Sequence, residues 1–97
     1  MIDFSQTDGF EWDEGNIQKN RDKHGVDTRE SEEVFVNQPL LIYFDNKHSE
    51  TESRFYVLGK TNNNRFLFLA FTMRKNRIRI ISARDMNKKE KIHYEND

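Results

Sequence analysis

Hydrophobic positions gather in the second half of the chain, and there they alternate with polar ones. Arg65 to Met73 is the most apolar run. Phe66, Phe68 and Ala70 point one way and Leu67, Leu69 and Phe71 the other, the pattern of a central strand covered on both faces. Arg74-Lys75-Asn76 forms a tight turn into Arg77-Ile78-Arg79-Ile80-Ile81-Ser82-Ala83-Arg84. Arginine and isoleucine alternate at its start, so one side enters a core while guanidinium groups stand on the other. Leu40 to Phe44 and Arg54 to Lys60 are further strand candidates, separated by a polar loop over 45–52. Asn62-Asn63-Asn64 is a turn of residues that tolerate left-handed backbone.

The first half is more polar. Ile2 and Phe4 alternate with Asp3 and Ser5, which suits an extended strand or a frayed end. Phe10-Glu11-Trp12 reads as a short strand with two rings on one face. Asp13 is a good N-cap for a helix from Glu14 to His24, and Gly25 sits where a left-handed C-terminal residue belongs. Ile17 is the only aliphatic residue of that helix, so its ends and neighbours hold it, or it presents functional groups. Asp27 and Glu30 have capping-box spacing for a second helix, which carries Val34 and Phe35 inward and stops before Pro39. Asn87 caps a last helix, about 88–94, with Ile92 and Tyr94. The expectation is one α+β domain over 1–97, a small antiparallel sheet with helices in the order β-α-α-β-β-β-α. Its last three strands form an antiparallel meander because their connections are short.

Composition changes this picture in two ways. Only 34% of the 97 residues are hydrophobic, yet 12% are aromatic, eight of them Phe, so large rings must supply much of the core. The net charge of −1 hides a split: residues 1–52 carry 5 Lys+Arg and 13 Asp+Glu, whereas 53–97 carry 11 and 4. A domain polarised in this way can hold a polyanion on its basic part, or its halves can neutralise each other. There is no Cys, and His24, His48 and His93 form no spaced metal motif, so neither a cofactor nor a metal is expected. No apolar run approaches a membrane span and the N-terminus lacks a secretory signal, so the expected location is cytoplasmic.

The arginines of 77–84 are either a compact phosphate-binding row or a solvated strand face blunted by charge. The motifs around them carry more information as an ordered set. Phe10-Glu11-Trp12-Asp13, Lys19-Asn20 and Lys23-His24-Gly25-Val26 come first. Then follow Glu52-Ser53-Arg54-Phe55, Gly59, Phe71-Thr72, the segment 77–84, and Glu90 with Tyr94. Over residues 10–94 this set resembles the BrnT family of toxins. The resemblance implies a RelE-like ribonuclease of a type II toxin–antitoxin system. It implies a BrnA-like antitoxin partner with a DNA-binding domain, operator DNA reached only through that partner, and an RNA substrate. The assembly would be a homodimer or a toxin–antitoxin heterotetramer. Two departures stand out: Arg29-Glu30-Ser31 replaces an aromatic residue and an alanine, and the chain is less basic than family members commonly are.

RNA can be cut without metal when its 2′-hydroxyl attacks the adjacent phosphodiester; the protein must move protons and stabilise the crowded phosphorus. His24, Arg54, Arg79 and Arg84 are the catalytic candidates, with Arg54 meeting the others across the sheet. Lys23, Arg77, Tyr94 and Lys88 are the RNA-binding candidates. Each has a plainer reading. The arginines can pair with Glu11, Glu52 or Glu90, His24 can pack on its helix, Tyr94 can anchor the last helix, and Lys88 can belong to a solvated face. The competing function is an inactive module that only binds an antitoxin in an autorepressor complex. The apolar run 65–73 also predicts an interface with the antitoxin or a second copy.

Overall fold

A computed structural model describes residues 4–48 and 51–96. The elements are β1 (Phe10–Glu11), α1 (Glu14–His24), α2 (Thr28–Val34), β2 (Leu41–Phe44), β3 (Arg54–Lys60), β4 (Phe66–Arg74), β5 (Arg77–Asp85) and α3 (Lys88–Glu95). Single 3₁₀ turns cover Phe4–Gln6 and Asn46–His48. Four strands follow the first two helices, one more than the order β-α-α-β-β-β-α counts; β2, the Leu40 to Phe44 candidate, pairs with β3 and forms the far edge of the sheet. The expected extension of the first strand through Ile2 and Asp3 lies outside the described residues, and Phe4 belongs to a 3₁₀ turn.

The sheet order is β1-β5-β4-β3-β2. The last three strands form the antiparallel meander that their short connections predict, and β2 also pairs antiparallel with β3 across a longer loop, but β1 runs parallel to β5, with Phe10 beside Ile78 and Glu11 beside Arg79. The sheet is therefore mixed, not purely antiparallel. A β-bulge lies where Ala70 faces Ser82 and Phe71 faces Ile80, leaving Ile81 as the extra residue.

One sheet face carries the main core. Leu67, Leu69, Phe71, Ile78, Ile80, Ala83 and Val57 are buried there against Val26 and Val34. Phe71 sits among the rings of Phe4, Phe35 and Phe55, with centroids 5.4–6.0 Å away, so aromatic area replaces the aliphatic residues the chain lacks. α2 packs closely on β3: a Cβ built at Gly59 would lie 2.6 Å from Val34 Cγ1. The departure at 29–31 is absorbed simply. Arg29 turns outward to Glu33, and buried Ser31 donates its hydroxyl to the Asp27 carbonyl.

The polar helix α1 is held by its ends and by the edge it covers. Asp13 accepts from the Asn16 amide, and Gly25 adopts φ 64° at the other end. β1 spans only the start of β5, so the remaining β5 edge would expose unpaired backbone. Asn16 donates to the Ile80 carbonyl, and buried Asn20 accepts from the Ala83 amide at 3.1 Å. Arg65 then ties four segments together. It donates to the His24 and Gly25 carbonyls that end α1, to Glu30 of α2, and to Asp85 of β5 at 2.8 Å. Among the described residues, no helix is long and apolar enough to cross a membrane.

Candidate functional site

The opposite sheet face is only half covered. α3 packs on one end of it, where Leu58, Met86 and Tyr94 are buried beside Leu41, Phe66 and Phe68. The capping box of Asn87 and Glu90 starts this helix. The rest of the face is polar and aromatic.

Four side chains form a ladder across four strands. Tyr43 of β2 stacks on Tyr56 of β3 at 5.0 Å, and Tyr56 stacks on Phe68 of β4 at 5.3 Å. The guanidinium of Arg84 on β5 lies 4.0 Å over the Phe68 ring. Register explains the set: Tyr43 opposes Tyr56 and Phe68 opposes Arg84, while Tyr56 and Phe68 are diagonal neighbours. Between this ladder and α3 runs a groove of about 400 Å³, lined by Tyr43, Tyr56, Leu58, Phe68, Lys89, Glu90 and His93. His93 Nε2 is hydrogen-bonded to the Tyr43 hydroxyl at 2.6 Å. Arg84 makes a forked pair with Glu90, at 2.8 and 3.0 Å. Burial pushes the Glu90 carboxyl upward, but the Arg84 hydrogen bond and the Asn87 amide outweigh it and hold the group below the usual carboxylate range.

A second row crosses the same face farther along. Arg54 opposes Thr72, Thr72 opposes Arg79, and Arg79 stands beside Glu11. Arg54 and Arg79 are thus two strands apart, roughly 10 Å between Cα atoms at ordinary sheet spacing. Arg79 is paired with Asp13 at 3.0 Å and Glu11 at 3.6 Å. The Asn16 amide first, with Arg79 adding to it, holds the Asp13 carboxyl below its ordinary value. Arg54 also lines a hollow of about 320 Å³ with Lys47, His48 and Thr51, where His48 Nδ1 contacts Asp45 at 2.8 Å. Among the described residues, no cluster of three His, Asp or Glu could hold a metal ion.

A family model described as the ribonuclease toxin BrnT of type II toxin–antitoxin systems matches residues 12–90. The chain belongs to this BrnT family. Among solved structures, the Brucella abortus ribonuclease toxin BrnT is similar to it in fold, with a TM-score of 0.59 at 20% identity. That similarity covers 82% of this chain and 97% of the Brucella chain. No curated protein matches the sequence.

In this BrnT family member the sequence-predicted site residues fall into three places. Arg54, Arg79 and Arg84 share the half-covered face, and so does exposed Arg77, which opposes Arg74 beside the hairpin turn. They do not form one cluster: Arg84 opposes Phe68, four residues along β4 from the Arg79 partner Thr72, which is roughly 13 Å at strand rise. Arg79 and Arg84 are closed on carboxylates, Glu11 and Glu90 among them as the plainer reading has it, while Glu52 pairs instead with Arg74.

His24 and Lys23 lie elsewhere. α1 follows the β5 edge, and its last turn ends at Arg65, whose guanidinium also holds Asp85. The bonds at this helix end run to Arg65, whereas the partners of Arg79 are Glu11 and Asp13. Tyr94 takes the anchoring position of the plainer reading: it is 4% exposed, its ring packs on Phe66, and its hydroxyl donates to the Pro39 carbonyl at 2.6 Å. Burial pushes its phenol upward. Lys88 is exposed at the start of α3, but the neighbouring Lys89 is the one that lines the groove. Sequence reasoning missed the Tyr43–Tyr56–Phe68 ladder, because its members lie on separate strands and meet only through register.

Proposed function

We propose that this protein is an active endoribonuclease toxin whose RNA crosses the half-covered sheet face without help from a metal. One observation carries the reading: stacked aromatic rings and arginines occupy the same face. Single-stranded RNA is bound by stacking its bases on aromatic rings while cations follow its phosphates. The Tyr43–Tyr56–Phe68 ladder supplies the rings, and Arg84, Lys89, Arg79 and Arg54 supply the cations. In cleavage the 2′-oxygen attacks phosphorus and the 5′-oxygen leaves. Arg84, which belongs to the ladder, stabilises the crowded phosphate, while Arg79, Arg54 and Arg77 hold other phosphates along the path. Each phosphate must compete with a resident carboxylate, Glu90 at Arg84 and Asp13 with Glu11 at Arg79.

Expression of the toxin inhibits growth, and a BrnA-like antitoxin with a DNA-binding domain neutralises it in the cytoplasm. Operator DNA is reached through that antitoxin. The closed ion pairs of Arg79 and Arg84 favour a second reading, an inactive module that serves only in the repressor complex. Expression without an antitoxin separates the two. The nuclease reading expects growth arrest, and purified protein that cuts single-stranded RNA in EDTA to cyclic phosphate ends. Arg84→Ala should lower the cleavage rate roughly 10²–10³-fold, the usual cost of one transition-state charge contact, and Arg79→Ala should weaken RNA binding. Normal growth with soluble, folded protein would support the module instead.

A further inference from the structure

His93 is left unused by the arginine chemistry above. It stands exposed on α3 at the rim of the groove, its Nε2 hydrogen-bonded to the Tyr43 hydroxyl. Residue 93 lies beyond the matched segment 12–90, so the family description assigns it nothing. One turn earlier on the same helix, Glu90 holds Arg84 at the other end of the ladder. α3 therefore straddles the three rings, with an imidazole at the Tyr43 end and a guanidinium at the Phe68 end. The groove between them, about 400 Å³, is on the scale of a pocket for one small ligand.

The ionisable groups lining this groove with His93 are Tyr43 of β2, Tyr56 of β3, and Lys89 and Glu90 of its own helix. Arg84 lies behind Glu90. The other two histidines are placed differently. His24 ends α1 beside Arg65, and His48 contacts Asp45 beside Arg54, both outside the lining of the aromatic groove.

We infer that His93 is the catalytic base for RNA cleavage in the groove, with Tyr43 as its positioning residue; the inference rests on the nuclease reading above. A base stacks beside the Tyr56 and Phe68 rings, and its ribose 2′-hydroxyl faces the imidazole. The 2′-proton passes to His93 as the O2′–P bond forms. The P–O5′ bond breaks, and O5′ takes a proton from water. The products are a 2′,3′-cyclic phosphate and a 5′-hydroxyl, and the imidazolium then gives its proton to the hydroxide left by that water.

The test is cleavage of a single-stranded oligoribonucleotide in EDTA across a pH series. Wild-type, His93→Gln, Tyr43→Phe and His24→Gln proteins are compared, with thermal melts to verify folding. His93→Gln should lower kcat roughly 10²–10⁴-fold, the range for a lost general base, with KM little changed. It should also remove the acid limb of the rate profile, on which a protonating base loses activity. Tyr43→Phe should lower kcat less and displace that limb, and His24→Gln should behave as wild type. A folded His93→Gln protein that keeps both rate and limb overturns the assignment, as does loss of the limb in His24→Gln. A wild-type protein that cuts no RNA overturns the nuclease reading, and this assignment with it.

Discussion

Replacing Arg65 by methionine keeps the length of the side chain and removes its guanidinium. Two of the bonds lost are to the carbonyls of His24 and Gly25, at 3.1 and 2.9 Å, which close the end of α1. Hydrogen bonds of this kind contribute about 0.5–1 kcal/mol each when water can replace them. The pair with Glu30 has both side chains 28% exposed and adds about 1 kcal/mol, while the Asp85 pair, with Asp85 58% exposed, adds about 0.5 kcal/mol after screening. The expected total is about 2.5–3.5 kcal/mol, or a fall in melting temperature of roughly 10–28 °C for a domain of this size. Arg65→Lys should recover only a minor part, because an ammonium cannot bridge two carboxylates and two carbonyls at once.

The same cluster sets an acid limb on stability. The Asp85 carboxyl is held below its ordinary value, first by the hydrogen bond from Arg65 and against the cost of burial. A group depressed in the folded state stabilises at neutral pH and loses that contribution as pH falls below about 4, through the unfolded and then the folded value. Urea titrations from pH 7 to pH 2.5 should therefore show Asp85→Asn and Arg65→Met losing less stability on acidification than wild type does. A loss under about 0.5 kcal/mol for Arg65→Met at pH 7, the scale of an isolated surface pair, would refute the reasoning.

Three further outcomes test the fold. Asn20→Ala removes the acceptor for the Ala83 amide and should cost about 1–3 kcal/mol, with faster hydrogen exchange at Ala83; unchanged exchange there would count against α1 as the cover of the β5 edge. Gly59→Ala forces a contact with Val34 Cγ1 and should cost about 1–3 kcal/mol, partly restored by Val34→Ala in the same chain, and denaturation curves that show no rescue would place the strain elsewhere. Tyr94→Phe should cost about 1 kcal/mol through the Pro39 carbonyl and leave RNA affinity untouched; weaker binding at equal stability would return Tyr94 to the RNA surface.

Local chemistry made much of this architecture readable. Asp13, Asp27 and Asn87 cap their helices through the side-chain bonds their types and spacing suggest, and Gly25 takes the left-handed backbone expected of it. Alternation located β3, β4 and β5 to within a residue or two. What stayed hidden depends on partners distant in the chain. Nothing near Phe10 announces a parallel neighbour at Ile78, and a helix as polar as α1 gives no apolar stripe to say that asparagines will face an open strand edge. Arg65 reads as an ordinary first residue of a strand until Glu30, Asp85 and the end of α1 are brought around it. The candidate site was half legible for the same reason. Alternation put Arg77 and Arg79 on one face, but the strand order was needed to bring Tyr43, Tyr56, Phe68 and Arg84 side by side.

The supernumerary residue of β5 has a consequence for that face. Because successive strand positions look to opposite sides, an uninterrupted strand would have carried Arg84 around to the side of Ile78 and Ile80, among the aliphatic packing, and left Ala83 looking out over the groove. Ile81 supplies the half-step that prevents this. One isoleucine with no chemistry of its own decides which side of the molecule receives the last arginine of the row.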